Sequence, residues 1–170
     1  MHLWTSRQPD KSTLGFIPDG KDGIVETLKI MRGLVREYKT ALFIRNLATE
    51  ITARVASKDY RGEVEAIQQW VKNNIRYVRD IRDVETLHTP DVLLNVRAGD
   101  CDDQSVLVAA LLESIGHSTG FLALGFVPGE FDHVYAITRI GQKWYSVETT
   151  ENVPVGWRPA GIADTLVIFN

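Results

Sequence analysis

Three side chains have the types that a nucleophile, its base and the base's orienting acid require: Cys101, His133 and Glu148. Cys101 is the single cysteine of the chain and lies in "RAGDCDDQSVLVAALLESIG", residues 97–116. Asp100, Asp102 and Asp103 surround it, and an apolar run follows. Asp100 is a good N-cap, since its carboxylate can accept from an orphan backbone N–H, so Cys101 opens a helix. Positions 101, 105, 108 and 112 then share one helical face. Val108, Leu111, Leu112 and Ile115 form the expected buried stripe, with Gly116 as the stop. A helix N-terminus carries roughly half a positive charge and favours thiolate over thiol. The three carboxylates push the other way, so the thiolate needs a further partner, which a histidine cation would supply.

Of the four histidines, His2 falls in the N-terminal segment and His88 and His117 in connections. His133 opens a strand, "HVYAITRI", directly after "VPGEFD", and the next strand ends in Glu148. If the two pair as a hairpin about "IGQK", the ends holding His133 and Glu148 meet. A carboxylate there accepts from one imidazole nitrogen and leaves the other facing the thiol. Each residue alone has a plainer reading. A free cysteine is most often a packing residue, and clustered acids at a helix start usually cap it. No metal is expected at Asp100, Asp102 and Asp103, because adjacent residues cannot wrap a cation and no glycine-turn ligand loop follows.

Positioning these groups falls to helices first and strands afterwards. Apolar residues recur at helical spacing over Gly23 to about Glu37 (Ile24, Leu28, Met31, Val35). They recur again over Ala41–Ala56 (Leu42, Leu47, Ile51, Val55) and from near Arg61 (Val64, Ile67, Val71, Ile75). "IRYVRD" turns extended, and Pro90 in "TPDVLLNV" starts a short helix. After Gly116 come "STGFLALGF", "HVYAITRI", "KWYSVETT" and "TLVIF", all short strands. The order predicts an α+β fold with an antiparallel sheet. Residues 1–22 read as an extended arm and 23–170 as one domain, a size that buries a core without disulfides. The composition, 44% hydrophobic and 24% charged, is that of an ordinary globular chain. A net charge of −3 leaves no basic footprint for nucleic acid. No segment approaches the roughly 20 apolar residues of a membrane span. The N-terminus has no apolar signal core, so cytoplasmic synthesis is expected.

The order "GDCDDQSVLVAALLESIG", then "HVYAI", then "WYSVETT" resembles the transglutaminase-like cysteine-enzyme superfamily. That family carries Gly-Asp-Cys at the head of its central helix. A histidine strand follows, then a strand ending in Trp-x-x-Val-Asp and a threonine. "IQQWVKNNIRYVRD" and "TPDVLLNVRAGDC" are similar to its lead-in, so the likeness covers about residues 60–150. The resemblance implies a papain/transglutaminase-like core, Cys101 as nucleophile, His133 as general base and Glu148 as third member, with no cofactor. Glutamate stands where the family usually has aspartate. For the oxyanion, the Cys101 backbone N–H is one candidate donor, and Asn95 or a nearby tryptophan another.

The chemistry so implied is acyl transfer. Hydrolysis of a peptide or peptidoglycan-like substrate is preferred over amine transfer, because water is always available and no acceptor-binding feature is visible. The compact form also looks like phage- and prophage-encoded members. That likeness gives the alternative: a structural or adaptor component of a virion head or tail, docked through the arm and the "ENVPVGWRPAGIADTLVIF" tail.

Overall fold

The computed structural model describes residues 2–8, 11–17, 20–79 and 84–170. The N-terminal region holds two strands, β1 (His2–Gln8) and β2 (Lys11–Ile17), paired antiparallel. The apolar side chains expected to make it a docking arm lie outside the described ones. Helices α1 (Gly20–Tyr38), α2 (Leu42–Thr52) and α3 (Tyr60–Asn74) follow. Next come β3 (Arg76–Tyr77), β4 (Val84–His88), α4 (Pro90–Val96) and β5 (Ala98–Gly99). Then α5 (Cys101–Ser114) leads into β6 (Thr119–Gly125), β7 (His133–Ile140), β8 (Lys143–Val147) and β9 (Asp164–Phe169).

The main sheet has the order β8-β7-β6-β9 and is antiparallel throughout. β7 and β8 close about Gly141 and Gln142, with Gly141 at φ 62°, where a left-handed residue suits a tight hairpin. The sheet is not the only one. β1 pairs parallel with β4, and β3 parallel with β5. Local periodicity cannot reveal such pairings, because each joins segments far apart in the chain.

One face of the main sheet, with Phe121, Ala123, Val134, Ala136 and Val147, belongs to the same core as α5. The other carries Leu122, Leu124, Tyr135 and Ile137, with Ile162 packed on it. Both faces are covered, which is why β6 is buried at every position.

Two expected stripes are corrected. α5 is not amphipathic: every residue from Asp102 to Leu112 is buried, including Gln104 and Ser105. It packs against α1, α2, α3 and α4 as well as β6 and β7, so it is the central rod of the domain. In α2 the buried pair is Ile44 and Ala48, while Leu42 is exposed and Val55 lies past the helix end. Leu47 and Ile51, also of the expected stripe, are partly buried and pack against the same core.

The turn into α5 explains the letters Gly-Asp-Cys-Asp-Asp. Arg97, at φ 57°, caps α4 in the left-handed region and reverses the chain. A Cβ on Gly99 would stand 2.5 Å from Asp103 Oδ2 and 2.7 Å from Leu93 Cδ1. Gly99→Ala therefore forces Asp103 or Leu93 to move. It should destabilise the fold by about 1–3 kcal/mol, the usual range for overpacking. Chemical denaturation reads this as a lower midpoint, and an unchanged midpoint would refute the contact.

Candidate active site

The N-terminus of α5 is fixed by a double lock. Asp100 Oδ1 accepts from the Asp102 N–H at 3.1 Å and the Asp103 N–H at 3.3 Å, while Asp103 Oδ2 accepts back from the Asp100 N–H at 3.3 Å. This reciprocal arrangement is a capping box. Asp103 also accepts from the His88 backbone N–H at 2.6 Å and meets His88 Nδ1 at 2.8 Å. His88 is thus not a loop histidine. It ends β4 and ties that strand to the start of α5. His117, likewise expected in a connection, pairs with Glu63 at 2.8 Å at the far end of the same helix.

Cys101, held at the first helical position, is half-buried. The stripe through 101 and 105 does face the sheet, and both residues engage Val134. Ser105 Oγ donates to the Val134 carbonyl at 3.4 Å, and the Val134 N–H bonds to the Cys101 sulfur. That amide is available because the β7–β8 ladder ends at Ala136↔Val147. The thiol is therefore set against the residue next to His133.

Burial pushes the Cys101 thiol well above its ordinary value, and the Asp102 and Asp100 charges push it further; the Val134 N–H pulls it down. The thiol hydrogen points to Asp102 Oδ1, 3.3 Å away. In the resting molecule burial first, and then the carboxylates, favour the thiol over the thiolate. Asp102→Asn removes one of those charges, so it should speed iodoacetamide alkylation at pH 7 by at least several-fold. An unchanged rate would remove Asp102 from the control of the thiol.

A linked effect concerns stability. An acid whose folded pKa lies above its unfolded value, about 8.5 for cysteine, keeps a proton that the unfolded chain releases. Its contribution is complete below about pH 8.5 and fades as pH rises toward the folded value. Cys101→Ala should flatten this alkaline loss. Equal losses in both proteins, followed by thermal melts from pH 7 to 10, would contradict it.

His133 and Glu148 do meet. His133 Nε2 lies 2.5 Å from Glu148 Oε2. The ring keeps 20% of its side-chain surface exposed while the carboxylate keeps 1%, so the base faces outward and the acid sits behind it. The second carboxylate oxygen is also used: Oε1 accepts from the Thr150 N–H at 2.6 Å and Thr150 Oγ1 at 2.8 Å. From α3, Gln68 Nε2 donates to the Glu148 carbonyl at 2.7 Å and anchors the strand end. Burial alone would raise the Glu148 carboxyl, but the His133 bond and charge and both Thr150 donors outweigh it and hold it below its ordinary value. One carboxylate thus serves both neighbours, Oε2 for His133 and Oε1 for Thr150.

A cavity of about 290 Å³ opens onto this pair, lined by Tyr77, Phe126, His133, Glu148, Thr150, Glu151, Trp157 and Pro159. The Trp157 carbonyl accepts from Ser146 Oγ, which pins that wall to β8. Cys101 does not line the cavity; its sulfur is recessed on the Val134 amide. Asn95 sits on the exposed surface of α4, also away from the cavity walls. The Cys101 backbone N–H has no hydrogen-bond acceptor among the described residues. Sequence reasoning missed Tyr77, Thr150 and the His88–Asp103 lock. Among the described residues no group of three or more His, Cys, Asp and Glu is arranged to hold a metal ion, and no helix is long and apolar enough to cross a membrane.

Comparison with known proteins supplies a wider frame. The model of the transglutaminase-like superfamily matches residues 45–149, more than half of the chain. Among solved structures, a proposed cysteine protease from Cytophaga hutchinsonii superposes with a TM-score of 0.52 at 20% identity, over 78% of this chain and 48% of that one. A proposed protease from Parabacteroides distasonis gives 0.60 at 16% identity, over 87% of this chain and 30% of that one. At these identities the likeness is one of fold, and this chain spans less than half the length of either. A comparison with curated proteins gave no match.

Proposed function

As the chain belongs to the transglutaminase-like superfamily, we propose that it is a cysteine peptidase or amidase acting through an acyl-enzyme. Cys101 is the nucleophile, His133 the base and then the acid, and Glu148 the residue that orients His133. The observation that carries this reading is the 2.5 Å His133–Glu148 pair at the strand end whose next amide holds the Cys101 sulfur.

A carboxylate can only accept, so the bond to Glu148 selects the tautomer with hydrogen on Nε2 and leaves Nδ1 as the base. Because the resting sulfur is protonated, attack and proton transfer are coupled. The Sγ–carbon bond forms as the thiol proton passes to His133 Nδ1. The imidazolium then protonates the departing amine and the acyl-enzyme remains. Water, deprotonated by the same nitrogen, releases the acid. Burial of Glu148 strengthens its hold on the imidazolium, since the carboxylate side chain is only 1% exposed. The substrate class is a peptide or a peptidoglycan-like stem peptide. Water, always available, is the acceptor in this reading.

The experiment is incubation of the protein and Cys101→Ala with a mixed peptide pool and a free alkylamine, followed by mass spectrometry. Cys101-dependent hydrolysis is expected. Amine incorporation instead would make it a transferase. No Cys101-dependent product of either kind would favour a binding or adaptor role for the fold.

A further inference from the structure

The proposed reaction needs something to hold the oxygen of the tetrahedral intermediate. The Cys101 N–H at the free end of α5 supplies one donor, and one N–H seldom suffices. A second donor must stand on the cysteine side of the scissile carbon, because the side facing His133 is taken by the leaving amine.

Two polar aromatic groups reach the cavity. Trp157 comes from the segment after β8, on the side of Ser146 and Glu148. Tyr77 comes from β3, which pairs with β5 so that Tyr77 lies opposite Gly99, two residues before Cys101. The Val78 N–H donates to the Gly99 carbonyl at 2.9 Å and the Arg76 N–H to the Arg97 carbonyl at 2.9 Å, so Tyr77 is bracketed by bonds to the strand that delivers the nucleophile. Its side chain is 46% exposed and shares the cavity wall with His133 and Glu148. The geometry points to Tyr77 as the second oxyanion donor, its phenol O–H acting together with the Cys101 N–H. This rests on the proposed acyl-enzyme chemistry and adds to it a residue that touches the reacting carbonyl.

The phenol suits the task. Burial, with the Cys101 sulfur and the Asp100 carboxylate beside it, raises it above its ordinary value. It therefore keeps its hydrogen over the whole range in which the thiol and imidazole work. Asn95, exposed on α4, does not share that wall.

Two reagents separate this role from any effect on the thiol itself. Iodoacetamide alkylates sulfur by displacement at a saturated carbon, with no oxyanion. p-Nitrophenyl acetate acetylates it through a tetrahedral oxyanion: the Sγ–carbon bond forms, the ester C–O bond breaks, the thiol proton goes to His133 and p-nitrophenolate leaves. Both rates are measured at pH 8 on the full chain, with adducts on Cys101 verified by intact mass. Tyr77→Phe should slow acetylation by roughly a hundredfold, the low end for loss of one oxyanion donor, and leave alkylation unchanged. Unchanged acetylation overturns the assignment. An equal fall in both rates also overturns it, since Tyr77 would then act on the thiol or on packing. If the unmodified protein acetylates no faster than Cys101→Ala, the nucleophile reading fails, and the role of Tyr77 fails with it.

Discussion

Cys101→Ala abolishes turnover and leaves the unfolding transition cooperative. The first half follows from chemistry, because no other thiol exists in the chain and this one sits at the helix tip against Val134, the residue next to His133. The second follows from packing. Only one heavy atom is removed, at the end of α5 and not in its buried middle, so the cost is about 1 kcal/mol. The Asp100–Asp103 box that starts the helix does not involve the sulfur. Activity assays and denaturant titration of the same sample check both halves. A variant that loses cooperative unfolding would make Cys101 a packing residue instead.

Glu148→Gln has the next largest effect, a loss of about 10²–10⁴ in turnover, the scale on which positioned acid–base catalysis works. The carboxylate accepts from His133 on one oxygen and from Thr150 twice on the other. The amide can satisfy only one of these neighbours as acceptor. If its oxygen stays with Thr150, its NH₂ faces Nε2 and favours the tautomer with hydrogen on Nδ1, which cannot take the thiol proton. Glu148→Asp keeps the charge on a side chain one methylene shorter, so it should retain part of the activity. Steady-state rates measure both variants, and full turnover in Glu148→Gln would remove Glu148 from the mechanism. The pH dependence follows the same pair. The carboxyl is held below its ordinary value. Its stabilising bond is therefore complete above the unfolded value of about 4.3 and lost as pH falls through the folded one.

Much of this site was legible in the sequence. The N-cap, the cysteine at the helix start, the histidine at the head of one strand and the acid at the foot of the next are all local signals. The two-residue hairpin fixes how the last two meet. What could not be read required partners distant in sequence. Asp103 looked like one more acid until β4 brought His88 to it. Tyr77 looked like part of an extended stretch until β3 paired with β5. α5 looked amphipathic because Ser105, Gln104 and the aspartates are polar, yet each has a buried setting in the surrounding helices and strands. The balance of charge at the thiol was also undetermined. A helix N-terminus and three carboxylates act in opposite directions, and only the burial of the sulfur and its bond to Asp102 decide between them. The lead-in and tail that looked phage-like carry no feature of the fold that bears on such an origin.

In the proposed reaction His133 takes the proton of Cys101. The most direct measurement is the rate of Cys101 acetylation by p-nitrophenyl acetate from pH 5 to 10, in the unmodified protein and in His133→Ala. Appreciable acetylation near neutral pH is expected in the first. In the variant almost none is expected until pH rises into the alkaline range where the thiol ionises unaided. Superimposable profiles would mean that the imidazole does nothing for the sulfur, and the three residues would be neighbours without a shared reaction.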